Sequence, residues 1–167
     1  MDWEGLFESH ADELVGICWR ILGRRVDVED CMQETFTKAF QIERRETIRN
    51  WPGLLRRLAV LTALEILRKR RTRRDTPLSE IAYDPPAGDQ AVDEVAIHRE
   101  LENRLRNEVA SLPEQDAVVF CLRYFDLATV SETAHTLGIS TGAVATASLR
   151  ARKRLQQRMA DVLPATF

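Results

Sequence analysis

The stretch Thr129-Val130-Ser131-Glu132-Thr133-Ala134-His135-Thr136-Leu137-Gly138-Ile139-Ser140-Thr141-Gly142-Ala143-Val144 decides the fold. Thr129 and Glu132 have the form of a capping box, in which a hydroxyl and a carboxylate three residues apart satisfy two backbone donors at a helix start. Gly138 sits where that helix would stop, and Ser140 is placed to cap the next one. Two helices crossing steeply need a small residue at their contact, a residue that tolerates the turn, and an apolar plug in the second helix. Counted from Val130, Ala134, Gly138 and Val144 supply these at positions 5, 9 and 15, with Leu137 and Ile139 flanking the turn to pack inward. The spacing predicts a helix-turn-helix, whose second helix enters the major groove of DNA with its N-terminal residues at the base edges. Thr141, Gly142, Ala145 and Thr146 are then the exposed candidates. A plain helical hairpin is the blander alternative.

Outward from this motif, apolar residues recur at helical spacing and no run alternates as a strand would. The last helix continues to about Met159 and carries Arg150, Arg152, Lys153, Arg154 and Arg158. Beside a DNA-reading motif this run suits phosphate contact; alone it would read as a solvated face. Upstream, Ser111-Leu112-Pro113-Glu114 has capping-box form, and a helix is expected over 95–110. Near the N-terminus, Leu6, Leu14, Ile17, Cys18, Ile21 and Leu22 form one stripe that ends at Gly23. Asp27 then has the character of an N-cap, with Val28, Met32, Phe36, Ala39 and Phe40 inward on a second helix. After a polar connection from Glu43 to Asn50, Asn50 can cap a third helix through Leu55, Leu58, Leu61 and Leu64 into Arg68-Lys69-Arg70-Arg71. Between residues 75 and 93 the pattern lapses, with Pro77, Pro85, Pro86 and Gly88, which reads as a linker. The expectation is an all-α chain: two small helical domains, 1–74 and 94–167, joined by a flexible linker at 75–93, the C-terminal one a helix-turn-helix.

Charge narrows the function. The formal charge of the 167 residues is −2, which argues against a blanket polycation. By segment, however, residues 51–78 carry 8 basic and 2 acidic groups and 149–167 carry 5 and 1, against 7 and 11 in 1–50 and 3 and 10 in 79–116. Neutrality is a cancellation between blocks, so local fields matter more than the total. No basic-then-apolar run opens the chain, and Arg56, Arg57 and Glu65 interrupt its most apolar stretch, so neither a secretory signal nor membrane insertion is expected. Cys18, Cys31 and Cys121 lack metal-ligand spacing and fall in apolar helical stretches; buried free thiols and a reducing, cytoplasmic compartment follow. His10, His98 and His135 are scattered, so no catalytic centre, metal or cofactor is expected.

Four segments carry a family resemblance, in order over roughly residues 5–160. Val28-Glu29-Asp30-Cys31-Met32-Gln33-Glu34-Thr35-Phe36 resembles the "AED-xx-QE-x-F" signature of bacterial RNA polymerase sigma factors of the extracytoplasmic-function type. Trp51 to Arg71 resembles the next helix of that family. Leu112-Pro113-Glu114 and Leu149-Arg150-Ala151-Arg152-Lys153-Arg154-Leu155 resemble its C-terminal domain. The resemblance implies that Asp30, Gln33 and Glu34 meet core RNA polymerase. It implies that Trp51, Arg56, Arg57, Leu61, Glu65, Arg68, Lys69, Arg70 and Arg71 act on the −10 promoter element, where an opened strand is captured beside the 43–50 connection. Trp51 either stacks on DNA or staples the helix start to the core. Thr141, Gly142, Ala145, Thr146, Arg150, Arg152 and Arg154 would serve the −35 element, and an anti-sigma protein is an expected partner. Phosphodiester chemistry would belong to the polymerase.

The chain departs from the family pattern at Leu61 (usually Asn), Glu65 (usually Asp) and Leu54 (usually Trp). In the recognition helix, Ala145 and Ala147 stand where Lys and Arg are usual. Either the −35 element is read through threonine methyl and apolar contacts, or this domain binds DNA weakly and leans on the polymerase. Two other readings stay open at this point: a stand-alone helix-turn-helix regulator, and a sigma mimic that acts by protein contact alone.

Overall fold

A computed structural model describes residues 2–74 and 92–162. The regular structure among these residues is helical: α1 (Trp3–Leu22), α2 (Arg25–Glu43), α3 (Trp51–Arg74), α4 (Val92–Ala110), α5 (Glu114–Phe120, continued by a π-helical turn over Cys121–Phe125), α6 (Val130–Leu137) and α7 (Thr141–Arg158). The all-α expectation holds. The expected linker lies outside the described residues as far as residue 91, and α4 begins at Val92.

Local chemistry sets most helix ends. Asp2 accepts from the Gly5 N–H at 3.0 Å to start α1, and Gly23 ends it in the left-handed region (φ 65°), donating to the Trp19 carbonyl. A side chain at Gly23 would also strike the Arg106 guanidinium of α4, so this glycine has two reasons to be there. Asn50 caps α3 through the Gly53 N–H at 3.0 Å. Two expected caps are corrected. Asp27 lies inside the first turn of α2, which starts at Arg25 without a side-chain cap; its carboxylate instead holds Arg70 at 2.6 Å. At 111–114 the cap position belongs to Pro113, which has no side-chain acceptor, and Ser111 Oγ donates back to the Glu108 carbonyl.

The six apolar residues expected to form the α1 stripe are all buried. On α2 the buried set is Val28, Cys31, Met32, Thr35 and Ala39, which differs from expectation at two aromatic positions. Phe36 and Phe40 each follow a buried residue, and one residue rotates a side chain by about 100°, which carries them to the edge of the stripe. Phe36 is half-buried against Phe7, and Phe40 is 45% exposed with its ring 5.5 Å from Trp3.

Helix α3 is the spine. Leu55, Leu58, Ala59, Val60, Thr62, Ala63, Leu64 and Leu67 are all buried, an arc of roughly 240° at 100° per residue. A surface helix needs only about 100° of apolar arc, so α3 is covered on more than one side. Helices α1 and α2 pack on it, and so do α4, α5 and α6 of the C-terminal half. A single apolar cluster therefore runs from Leu6 on α1 to Leu155 on α7, and a smaller one, Val119, Ala134, Val144 and Ala147, lies beneath the helix-turn-helix. The three cysteines are buried free thiols, as expected. Cys18 donates to Cys31 across 3.3 Å; accepting that bond lowers the Cys31 thiol, while donating it and burial raise Cys18. Burial alone pushes Cys121 up.

Candidate nucleic-acid interface

The helix-turn-helix forms as its residues dictate. Thr129 Oγ1 accepts from Glu132 N at 3.1 Å while the Glu132 carboxylate accepts from Thr129 N at 2.7 Å. That reciprocal bond holds the Glu132 carboxyl below the usual carboxylate range. Ala134 and Val144 are buried at the crossing, Gly138 turns the chain at φ 65°, and Leu137 and Ile139 pack inward. Ser140 caps α7 through the Ala143 N–H at 3.1 Å.

On the first turns of α7, Thr141, Gly142, Ala145 and Thr146 are exposed together. Thr146 Oγ1 donates to the Gly142 carbonyl at 2.9 Å, so its hydroxyl hydrogen is already committed. Ala147 is different. It is fully buried against α6, so it is not an empty outward position; an arginine side chain has no room there. The basic run divides too. Arg150 grips the buried Asp116 carboxylate through Nη2 at 2.7 Å and Nε at 3.2 Å, and Arg154 reaches the same carboxylate at 3.2 Å. Arg158 is bonded to Ser111 and Glu108. Arg152 and Lys153 are exposed and have no ion pair among the described residues.

The α3 candidates also separate. Arg57, Leu61, Glu65 and Lys69 recur every four residues and form one stripe; Arg57, Glu65 and Lys69 are exposed, Leu61 is half-buried against the core, and Glu65 is bonded to Lys38 at 2.8 Å. Arg71 is exposed as well, but about 100° around the helix from the middle of that stripe. Arg56 and Arg70 point elsewhere. Arg70, whose side chain is only 11% exposed, clamps the Leu22 carbonyl at the end of α1 and Asp27 at the start of α2. Arg56 bonds Glu13 of α1 and lies 3.6 Å from Asp126. Arg68 donates to the Ala110 carbonyl at 3.2 Å. Trp51 is half-buried, edge-on to Trp3 at 5.4 Å, and also lines a surface recess with Arg44, Arg45, Glu46, Thr47 and Ile48.

Asp30, Gln33 and Glu34 are exposed on α2 and line a groove shared with Glu65 and Lys69 of α3. On its other side Gln33 borders an open apolar trough of Phe7, Met32, Phe36 and Phe40. The sequence reading missed this trough. Its signal was there, because Phe7 falls one residue off the Leu6–Leu14–Ile17–Ile21 stripe.

Two family models match the chain: "Sigma-70 region 2" over residues 6–73 and "Sigma-70, region 4" over 102–155. The chain belongs to the sigma-70 family. It is 26% identical to ECF RNA polymerase sigma factor SigW of Bacillus subtilis, over 94% of this chain and 88% of that protein. It is also 27% identical to ECF RNA polymerase sigma factor SigE of Mycolicibacterium smegmatis, over 95% of this chain but 62% of that longer protein. The match of both regions, in order and over most of the chain, makes this a promoter-recognition sigma factor of the extracytoplasmic-function type. The Arg57–Leu61–Glu65–Lys69 stripe of α3 lies in the region 2 segment, and the helix-turn-helix in region 4.

Proposed function

We propose that this sigma factor docks on core RNA polymerase through the Asp30–Gln33–Glu34 ridge together with the adjacent Phe7–Phe36–Phe40 trough. The observation that carries the reading is the shared groove: the acidic and amide ridge of α2 runs directly beside the α3 stripe, so one docking event would set that stripe against the −10 element. Acidic rim charges suit a basic partner surface and steer encounter, while the apolar trough supplies area to bury.

At the −10 element, Arg57 and Lys69 would meet phosphates with Leu61 and Glu65 between them, and the recess beside Trp51 would receive an unstacked base. Arg56, Arg68 and Arg70 would act on DNA only after giving up their present partners. At the −35 element, Thr141, Gly142, Ala145 and Thr146 would face the groove, with Arg152 as the phosphate anchor and Arg150 and Arg154 holding α7 on α5. The chain would work in the cytoplasm, where its polymerase is, and without catalytic chemistry of its own. Among the described residues no helix is long and apolar enough to cross a membrane. An anti-sigma protein would hold it idle.

The uncharged recognition surface from Thr141 to Leu149 favours one second reading, a mimic that binds core polymerase without initiating. The direct test of docking is the double reversal Asp30→Lys/Glu34→Lys. The expected result is a loss of roughly tenfold or more in affinity for core polymerase with helicity intact. Unchanged core affinity in the folded variant would overturn the docking assignment.

A further inference from the structure

Two of the three buried thiols face each other where α1 packs on α2. Cys18 and Cys31 are fully buried, with their sulfurs 3.3 Å apart. A disulfide bond is about 2.05 Å long, so the sulfurs need to approach by roughly 1.3 Å to be joined. Their surroundings are unequal. The Cys18 S–H donates to the Cys31 sulfur, and the Thr35 hydroxyl and the Lys38 ammonium favour the ionised form of Cys31 from further along α2. Thr35 is fully buried, and its hydroxyl makes no hydrogen bond among the described residues. Burial and Glu65 oppose the ionisation, and the Cys31 S–H has a long 3.5 Å bond to the Ala59 carbonyl, yet the balance brings the Cys31 thiol below its usual range. Cys121 makes the comparison: it is as buried, no thiol faces it, and burial pushes it up in spite of Arg68.

Neither sulfur meets solvent, so size decides what reaches them. Asp30, Glu34, Thr62 and Glu65 line the groove between α2 and α3. Thr62 lies one turn along α3 from Ala59, whose carbonyl the Cys31 thiol contacts, so one turn of helix separates the groove floor from the sulfur. Hydrogen peroxide is neutral and little larger than water, and it passes through brief local openings that exclude an aromatic reagent. A disulfide made this way inside a reducing compartment is transient and reports oxidation rather than holding the fold.

We propose that Cys18 and Cys31 form a peroxide oxidation site, with Cys31 the attacking sulfur and Cys18 the resolving one, and that closing their disulfide weakens docking on core polymerase. The Cys31 thiolate attacks one peroxide oxygen: the S–O bond forms, the O–O bond breaks, and the departing hydroxide takes the proton that Cys31 gave up and leaves as water. Cys18 then loses its proton and attacks the sulfenic sulfur: the S–S bond forms, the S–O bond breaks, and the second hydroxide leaves as water. Two thiols lose two electrons in all, and one peroxide becomes two waters. The oxidation stands on the thiol pair alone, while its effect on docking rests on the docking reading above. Cys31 directly follows Asp30 and is within one turn of Gln33 and Glu34. Across the trough, the Phe7 ring of α1 lies 5.1 Å from the Phe36 ring of α2. Drawing α2 toward α1 narrows that trough and shifts the ridge.

The reduced full-length chain, treated with a small excess of hydrogen peroxide at neutral pH and then with catalase, tests the site without polymerase or any variant. Trypsin cuts after Arg20, Arg25 and Lys38, so a non-reducing digest should contain residues 1–20 joined to 26–38, lighter by two hydrogens than the separate peptides. Thiols titrated in denaturant should fall from three to one, and the survivor, Cys121, should be lost at least roughly tenfold more slowly. Cys18→Ala should stop at a sulfenic acid on Cys31 that dimedone captures on denaturation, and Cys31→Ala should leave Cys18 a thiol. A wild type that keeps three thiols, or loses Cys121 as fast as the pair, would overturn the site. Oxidation of Cys18 in the Cys31→Ala variant would overturn the assigned roles. The second arm measures association with core polymerase, where the cross-linked chain should bind at least roughly threefold more weakly and recover in dithiothreitol. A cross-linked chain with the affinity of the reduced one would overturn the effect on docking while leaving the site standing. A reduced chain that does not bind core at all would refute the docking reading instead, and the peptide result would still stand.

Discussion

Two alanines in α7 have opposite surroundings, and exchanging each for a cation separates the faces of the recognition helix. Ala145 is exposed beside Thr141 and Thr146, on a surface that carries no positive charge from Thr141 to Leu149. Ala145→Lys therefore adds one phosphate contact where there was none. Each such contact steepens the fall of log K with log salt by about 0.9, so between 50 and 200 mM salt the variant should lose roughly 3.5-fold more affinity than the parent. Ala147 is fully buried against Val119, Ala134 and Val144. Ala147→Arg must force a long charged side chain between α6 and α7, and overpacking of this kind costs about 1–3 kcal/mol before any charge is desolvated. For a chain of this size that is a fall in Tm of at least roughly 3 °C. Anisotropy of a labelled 30-base-pair duplex across a salt series reads the first effect, and thermal melts read the second. An Ala147→Arg variant that is as stable as the parent and gains salt dependence would refute the helix orientation. So would Ala145→Lys with an unchanged slope.

Two further expectations concern stability and reactivity. Thr129→Ala removes the acceptor for Glu132 N and should cost about 1 kcal/mol, seen as a drop in Tm of roughly 2–4 °C. The Glu132 carboxyl is depressed, so what it contributes is present above its unfolded value near 4.3 and disappears as pH falls through the lower folded value; the stability gap between parent and Glu132→Ala in urea titrations should close in acid. Cys18, Cys31 and Cys121 are buried, so a thiol reagent such as DTNB should find none of them in the native protein and all three in denaturant. Rapid reaction of Cys18 or Cys31 under native conditions would contradict the packing of α1 on α2.

Much of the fold was legible because it is local. The capping box at Thr129, the turn at Gly138 and the apolar plug at Val144 each depend on neighbours within a few residues, and the structure returns them in place. The α1 stripe was legible for the same reason. What failed was decided one residue away or far along the chain. Phe36 and Phe40 sit a single position past Thr35 and Ala39, and that rotation turns a core aromatic into the wall of a surface trough. Asp27 has the side chain of a cap, yet its partner is Arg70, 43 residues later. Arg56, Arg70 and Arg150 show the general difficulty. A guanidinium suits a phosphate or a carboxylate equally, and only the tertiary structure shows that Asp126, Asp27 and Asp116 are close to them. The docking of the two halves left one trace in the sequence: the apolar residues of α3 occupy an arc too wide for two partner helices.

As a sigma factor, this chain gives promoter specificity to a polymerase that lacks it. Purified chain and core RNA polymerase, incubated with a library of bacterial promoter fragments and nucleotides, test it directly through the 5′ ends of the transcripts. The expected transcripts require both components and start a fixed distance downstream of shared −10 and −35 sequences. Stable binding to core with no such transcripts from any fragment would contradict it.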